Sequence, residues 1–158
     1  MTPDSATVIR QAGRRDEAAL RECAALAYAR YAPRIGREPA PMRADFAALI
    51  DAGEVHVATD ADGRLQGFVV FRAMEAGYVL LESVAVLPGA AGRGVGRALI
   101  LFCEDAARRG GAGAVRLYAN EKMVENLALY PRLGYAETGR RVEDGFRRVH
   151  FEKRLTPA

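Results

Sequence analysis

The stretch Gly89–Leu99, GAAGRGVGRAL, holds four glycines and two arginines and leads into an apolar, helix-like sequence. Glycine loses more conformational entropy on folding than any other residue, so such a cluster needs a structural reason. The residues before it predict a strand, and a glycine loop between a strand and a helix lets backbone amides approach an anion. The order therefore predicts an anion site formed by the loop glycines and arginines: Gly92, Arg93, Gly94, Gly96 and Arg97.

Two common nucleotide motifs do not fit this stretch. A P-loop ends in Gly-Lys-Ser/Thr, which does not occur here. A dinucleotide fingerprint needs G-x-G-x-x-G, but the sixth position is Arg97 when counted from Gly92 and Leu99 when counted from Gly94. It also needs an acidic residue about 20 positions later, where Arg116 stands. The sequence thus argues against both nucleotide classes.

Composition predicts one globular domain that spans residues 1–158. Half of the residues are hydrophobic and 27% are charged, which is typical of a folded domain. No apolar run approaches the ~20 residues that span a bilayer, and the N-terminus lacks an apolar signal core, so we expect a cytoplasmic protein. Cys23 and Cys103 lack metal-ligand spacing and are expected in the core, with neither a disulfide nor a metal site.

The net charge of +3 and the pI near 9.1 are compatible with an anionic ligand and equally with an ordinary surface. No Lys/Arg block is interleaved with aromatic residues, which argues against nucleic acid as a partner.

Apolar periodicity predicts helices and strands on both sides of the glycine stretch. Strands are predicted at Ala6–Ala12, Glu54–Asp60, Arg64–Met74, Tyr78–Pro88 and Ala114–Asn120, followed by a hairpin that turns at Asp144-Gly145. Helices are predicted at Arg14–Tyr31, at Met42–Gly53, from Val95 onward, and at Glu121–Leu133, where Pro131 should bend or end the helix near Tyr130. Ala32–Pro41, with three prolines, is predicted to be a loop. The three central strands should form an antiparallel meander within one mixed sheet, an α/β (α+β) architecture.

The segment VAVLPGAAGRGVGRAL resembles the acetyl-CoA-binding motif of the GNAT superfamily of N-acetyltransferases, written Q/R-x-x-G-x-G/A. Gly94 and Gly96 match its glycines, and Ala91 stands where Gln or Arg is usual. The segment ENLALYPRLGY resembles the second motif of the family, in which a helix and an aromatic residue flank coenzyme A. Met123 occupies the usual Asn position there, with Asn120 and Asn126 on either side.

This resemblance covers nearly the whole chain in element order. It implies a mostly antiparallel central sheet of about six to seven strands with about four flanking helices. It also implies acetyl-CoA as co-substrate, no metal, and an acetyl transfer to an amine. The implied coenzyme contacts are Val84, Ala85, Val86, Ala91, Gly92, Arg93, Gly94, Val95, Gly96, Arg97, Asn126 and Tyr130. Backbone groups around Val84–Val86 would bind the pantetheine arm and polarise the thioester carbonyl.

Glu82 and Tyr130 are the candidate catalytic residues. Glu82 shares its strand parity with Leu80 and Val84, so its carboxylate would be partly desolvated, which suits a general base. The alternatives for Glu82 are an ion pair with an arginine across the sheet or an outward-turned side chain. Tyr130 matches the family's tyrosine that protonates the leaving thiolate, and the alternative for Tyr130 is simple packing of its ring. His56 and His150 are expected to be structural.

The acceptor is the least determined part of the prediction. Tyr28, Tyr31, Arg34 and Arg37, with Arg140, Arg141, Arg147 and Arg148 of the last hairpin, could bind an acidic small molecule or form a solvated surface. A small-molecule amine is the leading acceptor. A protein or peptide amine, or a non-catalytic acyl-CoA-binding module, remain the alternatives. The family is compatible with a homodimer, which no sequence feature requires.

Overall fold

The structure, a computed structural model, describes residues 7–156. Seven strands form one sheet in the order β1-β2-β3-β4-β5-β7-β6. The strands are β1 (Val8–Gln11), β2 (Val55–Thr59), β3 (Leu65–Ala73), β4 (Tyr78–Val86), β5 (Ala114–Asn120), β6 (Ala136–Glu143) and β7 (Phe146–Arg154). The helices are α1 (Glu17–Tyr28), α2 (Tyr31–Ile35), α3 (Phe46–Asp51), α4 (Val95–Arg109) and α5 (Val124–Arg132). The predicted mixed sheet and its flanking helices are confirmed.

The chain forms two compact units. The first unit comprises the described residues up to Phe71 together with Ser83–Cys103, and the second comprises Arg72–Glu82 and the described residues from Glu104 onward. The single domain expected for residues 1–158 stays a prediction. No helix in residues 7–156 has the length and apolar character needed to cross a membrane.

In the first unit, the core lies against the antiparallel strands β2 and β3. The ring of Phe46 on α3 packs edge-on against Phe68, with ring centroids 5.4 Å apart. Gly67 lies so close to β4 that a Cβ atom added there would sit 2.5 Å from the Ala85 carbonyl oxygen. The strands of the first unit therefore pack too tightly at Gly67 for any larger residue.

Two predicted boundaries are wrong in this unit. Within the predicted loop Ala32–Pro41, the helix α2 forms and a short 3₁₀ helix begins at Ala40. Pro33 is tolerated because it lies in the first turn of α2, where its missing amide costs no helical hydrogen bond. The first strand begins only at Val8, and Ala6 lies outside the described residues.

In the second unit, β5 pairs in parallel with β4 and antiparallel with β7. The β4–β5 pairing runs from Tyr78 opposite Ala114 to Leu81 opposite Leu117. Leu117 pairs with Phe151 on the buried face, whereas Tyr118 pairs with His150 on the half-buried face. Because successive strand residues point to opposite faces, each residue's face follows from this register.

The last hairpin turns at Asp144 and Gly145, as predicted. Their φ angles are 52° and 80°, the left-handed values that a two-residue hairpin turn requires. The helix α5 includes Pro131 and extends to Arg132, so the proline does not end it at Tyr130. The amides of Leu133 and Gly134 bond to the carbonyls of Tyr130 and Pro131, so the last turn closes despite the proline.

A buried glutamate anchors the C-terminal part of α4 within the second unit. Glu104 is 1% exposed. Its carboxylate accepts hydrogen bonds of 2.9 Å from the Tyr135 hydroxyl and from the Lys153 ammonium. A buried carboxylate needs such partners to offset its desolvation. Cys23 and Cys103 are buried thiols, as expected of core residues.

Candidate active site

The glycine loop of the first unit presents backbone amides at the start of α4. Gly92 and Gly94 both have a φ of 80°, a conformation that favours glycine. The Ala98 amide donates to the Gly94 carbonyl at 2.9 Å. The amides of the preceding first turn have no acceptor within the helix and carry the positive end of its dipole. Loop residues 91–94 are exposed. The predicted anion site therefore has the backbone geometry that a phosphate group needs.

The side chains of this loop differ in what they offer a ligand. Arg93 and Arg97 are exposed cations at the loop and the first turn. Ala91 is exposed, but its methyl group offers no hydrogen bond and its amide donates to the Pro88 carbonyl. Val95 is buried and anchors the helix start in the core. Only the two arginines can therefore add side-chain contacts to those of the backbone.

The Val84–Val86 segment of β4 is held by contacts within the first unit. The Tyr28 hydroxyl donates a 2.8 Å hydrogen bond to the Val84 carbonyl. The side chain of Ala85 is buried, and Val86 would touch a Cβ added at Gly96 at 3.4 Å. A ligand at Val84 must share this carbonyl with Tyr28 or use other backbone groups of the segment.

Glu82, in the second unit, forms an ion pair across the sheet. Its carboxylate oxygen lies 3.3 Å from Nη1 of Arg72, and the two side chains are 32% and 34% exposed, respectively. The pairing with an arginine is the alternative that the sequence left open. At this exposure a ligand can still reach the carboxylate, so the ion pair does not exclude a role as base.

Tyr118 is a half-buried residue on the face of Glu82, and the sequence analysis did not single it out. The Arg148 guanidinium carbon lies 4.4 Å from the centroid of its ring. His150 packs on the same ring at 5.6 Å, and its Nε2 lies 2.9 Å from Oε1 of Glu143. We call this set the polar row: Arg72, Glu82, Tyr118, Glu143, Arg148 and His150.

Two pKa values show the electrostatics of the polar row. Burial raises the pKa of the Tyr118 phenol; Glu82 and Glu143 reinforce this, whereas Arg148 and Arg72 oppose it. The hydrogen bond with His150 lowers the pKa of Glu143. Tyr118 therefore keeps its proton through the neutral range, while Glu143 stays ionised.

Tyr130 packs on the other face of the sheet. Its buried ring lies 5.4 Å from that of Phe151 and 6.2 Å from that of Tyr135, measured between centroids. Because Phe151 and His150 point to opposite faces, Tyr130 and Glu82 approach the sheet from opposite sides. A single ligand can contact both side chains only where the pairing of two strands ends. The pairing of β4 with β5 ends at Leu81 opposite Leu117.

The two asparagines near α5 have different settings. Asn126 is half-buried in the helix, and its backbone amide donates to the Met123 carbonyl. Its proposed coenzyme contact stays a prediction. The side chain of Asn120 accepts from the Lys122 amide at 3.0 Å, so it caps the turn before α5 and not the helix itself.

The tyrosines suggested for the acceptor are engaged within the protein. Tyr28 and Tyr31 are 4% and 2% exposed. Arg30 and Arg34 lie over the Tyr31 ring, with guanidinium carbons 4.8 Å and 5.4 Å from its centroid. Both rings are therefore buried and held by the protein, and the suggested grip on an acidic acceptor stays a prediction.

The arginines of the last hairpin and the residue His56 have different partners within the protein. Arg140 pairs with Glu137, whereas Arg148 belongs to the polar row. His56 stacks on Phe71 with centroids 5.1 Å apart and has a buried Nδ1 without a hydrogen-bond partner among the described residues. Within residues 7–156, no group of three or more His, Cys, Asp or Glu side chains is arranged to hold a metal ion.

Comparison with known proteins places these features in a family. Streptothricin acetyltransferase of Streptomyces lavendulae is 36% identical over 85 residues, which are 52% of this chain and 44% of that protein. The chain thus spans about half the length of this curated relative. The structure of a nourseothricin acetyltransferase is similar with a TM-score of 0.59 and 29% identity, covering 63% of this chain and 64% of that one.

The fold is matched over almost its full length by PaiA N-acetyltransferase from Thermoplasma acidophilum, solved in complex with coenzyme A. The TM-score is 0.78 at 19% identity, with 94% of this chain and 99% of that one covered. Residues 20–135 match the profile of the family described as Acetyltransferase (GNAT) family. Because this match extends over most of the chain, the protein belongs to the GNAT acetyltransferase family.

Proposed function

We propose that the protein transfers an acetyl group from acetyl-CoA to a primary amine of a small molecule, with both substrates bound at once. The observation that carries the proposal is the exposed loop directly before α4, where Gly92 and Gly94 have a φ of 80° and present backbone amides. Those amides suit the pyrophosphate of coenzyme A. The thioester supplies an activated acyl group, and the residues described here must supply binding and proton transfers.

The coenzyme contacts divide between backbone and side chains. Gly92, Gly94 and Gly96 would bind phosphate oxygens through their amides, and Arg93 and Arg97 would add charge. Val84–Val86 would bind the pantetheine arm through backbone groups. Val95 and Ala91 would contact the coenzyme through the backbone of the loop, where the Ala91 amide already donates to the Pro88 carbonyl. This use of the backbone explains why an alanine at position 91 is compatible with binding.

Glu82 is the proposed general base. The amine nitrogen attacks the thioester carbonyl carbon, the carbon–sulfur bond breaks, and the nitrogen gives up a proton to Glu82. Nη1 of Arg72, 3.3 Å from the carboxylate oxygen, holds the Glu82 side chain in place beside the amine. Glu82 can accept the proton directly or through a water molecule.

Tyr130 is the proposed general acid for the leaving thiolate. Its ring is fixed between Tyr135 and Phe151, which leaves little freedom for the hydroxyl position. A fixed donor costs no reorganisation when negative charge develops on the sulfur. Asn126, in the same helix, would add a polar contact to the coenzyme.

A small-molecule acceptor is supported by the streptothricin and nourseothricin acetyltransferases that this chain resembles. The test is the release of thiol from acetyl-CoA by the wild-type protein. Streptothricin and a panel of primary amines serve as acceptors, and mass spectrometry identifies the product. We expect thiol release that depends on the acceptor and an acetylated amine. Thiol release that no acceptor increases would overturn the proposal. If peptides with a free N-terminal amine are acetylated faster than the small amines, the acceptor is a protein or peptide and not a small molecule.

A further inference from the structure

Tyr118 has a hydroxyl group that nothing in the fold uses. The residue is half-buried on β5, and within residues 7–156 its hydroxyl makes no hydrogen bond. Buried or half-buried tyrosine hydroxyls usually find a partner. Because the Tyr118 oxygen is not fully buried, a hydroxyl without a protein partner here is available to a ligand.

The setting of the ring makes this hydroxyl a fixed donor. Arg148 stacks on the ring at 4.4 Å and has a side chain only 12% exposed. His150, bound to Glu143 at 2.9 Å, packs on the same ring. Because the phenol keeps its proton, the group can donate a hydrogen bond but cannot form an ion pair.

The position of Tyr118 relates it to the proposed base. Leu80 pairs with Arg116, so Glu82 and Tyr118 are corresponding residues just beyond the paired segment, on one face. The carboxylate of Glu82 also contributes to the raised pKa of Tyr118, which reflects their proximity. If the amine of a bound molecule faces Glu82, an atom close to that amine would lie near the Tyr118 hydroxyl.

We propose that Tyr118 binds the acceptor, its hydroxyl donating a hydrogen bond to an oxygen atom that neighbours the reacting amine. This inference rests on the proposed function, in which Glu82 accepts the proton of that amine. Arg148 and the His150–Glu143 pair are positioning residues that hold the ring.

The Tyr118 hydroxyl restricts the class of acceptor. Arg72 lies beside Glu82 and Arg148 beside Glu143, so the charges of these side chains balance and the neutral hydroxyl is the group that selects. A hydroxyl or carbonyl oxygen suits the tyrosine donor. The acceptor class is thus a primary amine with a hydroxyl or carbonyl oxygen on an adjacent carbon.

The test compares Tyr118→Phe with Tyr78→Phe. Both variants remove only a hydroxyl, and Tyr78 on β4 has the same kind of arginine stacking, with the Arg116 guanidinium carbon 4.1 Å from its ring centroid. The acceptor is streptothricin or, if the wild type does not use it, the amine of the panel with the highest turnover. The panel includes ethanolamine and propylamine, which match in size and differ in the oxygen.

We expect Tyr118→Phe to raise the acceptor KM by about three- to tenfold, the effect of one lost neutral hydrogen bond. The KM for acetyl-CoA and the melting temperature should not change, and Tyr78→Phe should behave as wild type. Any wild-type preference for ethanolamine over propylamine should also disappear in Tyr118→Phe. An unchanged acceptor KM in this variant overturns the inference, as does equal loss for both substrates together with a lower melting temperature.

Arg148→Lys tests the positioning role separately. Lysine keeps the charge but loses the planar stacking on the ring. We expect a higher acceptor KM in the wild-type background and no further increase in the Tyr118→Phe background, because both act through one hydroxyl. Additive effects would contradict the positioning role. A wild-type protein that acetylates no amine overturns the proposed function, and the Tyr118 assignment falls with it. Turnover that is insensitive to Tyr118→Phe overturns the Tyr118 assignment alone.

Discussion

The glycine loop of the first unit and the polar row of the second unit contrast in the groups that they offer a ligand. The loop presents exposed backbone at Gly92 and Gly94, with Arg93 and Arg97 as its charged side chains. The polar row presents side chains from several strands, each held by a neighbour, as Glu82 is held by Arg72. The loop suits the phosphates of the coenzyme, which take no part in the acetyl transfer. We propose that the row serves proton transfer and acceptor choice.

The largest expected effect concerns the buried support of the second unit. Glu104→Ala leaves Lys153 and the Tyr135 hydroxyl without their buried partner and should cost about 3–5 kcal/mol of folding free energy. Thermal unfolding should record a melting temperature roughly 6–20 °C lower. Asp105→Ala is the matched control, since Asp105 is 64% exposed on the same helix and should cost less than about 1 kcal/mol. Equal shifts for both variants would contradict the structural role of Glu104.

The next effect separates chemistry from coenzyme binding. Glu82→Gln should lower kcat by at least about a hundredfold, because the amide cannot accept the amine proton. Its dissociation constant for acetyl-CoA, measured by calorimetry, should equal that of the wild type. Glu75→Gln, at an exposed glutamate in the turn before β4, is the control and should leave both quantities unchanged. A kcat within a fewfold of wild type would remove Glu82 from the mechanism.

A smaller effect addresses the loop. Gly94→Ala places a side chain at a φ of 80°, which costs about 1–2 kcal/mol and shifts the amides that follow. We expect affinity for acetyl-CoA about tenfold weaker, with kcat retained at saturating acetyl-CoA. Gly89→Ala lies in the same stretch, where an added Cβ meets nothing within 4 Å, and should bind as wild type. An unchanged affinity for acetyl-CoA in Gly94→Ala would show that the loop acts only as a turn.

The smallest effect is on the pH dependence of stability in the first unit. Burial lowers the pKa of His56 from its ordinary 6.5. As pH falls below that value, the unfolded chain takes up a proton that the folded chain refuses, so stability decreases toward acid. His56→Phe keeps the stacking on Phe71 and should flatten this decrease, by at most about 1.4 kcal/mol for each pH unit. Parallel pH–stability curves for the two proteins would contradict the buried neutral histidine.

The contrast between the two regions also explains what the sequence could predict. The glycine loop is contiguous, so its strand, glycines and helix start could be read directly, as could the Asp144-Gly145 turn. Glu82 and Tyr130 were predicted from parity and from resemblance, and their catalytic roles stay predictions. Tyr118 was missed because its proposed role depends on Arg148 and His150, which lie on another strand. Only the strand register places these residues together.

The error at Ala32–Pro41 has a local cause. Prolines are read as helix breakers, but Pro33 lies in a first turn that needs no amide from it. The burial of Tyr28 and Tyr31 could not be predicted either, since Tyr28 donates to a carbonyl 56 residues away in the chain. Side-chain partners at such separations follow from the tertiary fold and not from local pattern.

Thermal unfolding with excess acetyl-CoA, with NADPH and ATP as comparisons, tests the central claim most directly. A ligand at about 100 times its dissociation constant adds about 2.7 kcal/mol of stability. For a domain of this size that corresponds to a rise of roughly 5–10 °C in melting temperature. We predict this rise with acetyl-CoA and a smaller one or none with NADPH and ATP. No rise with acetyl-CoA, or a larger rise with NADPH or ATP, would contradict the assignment of the glycine loop to acetyl-CoA.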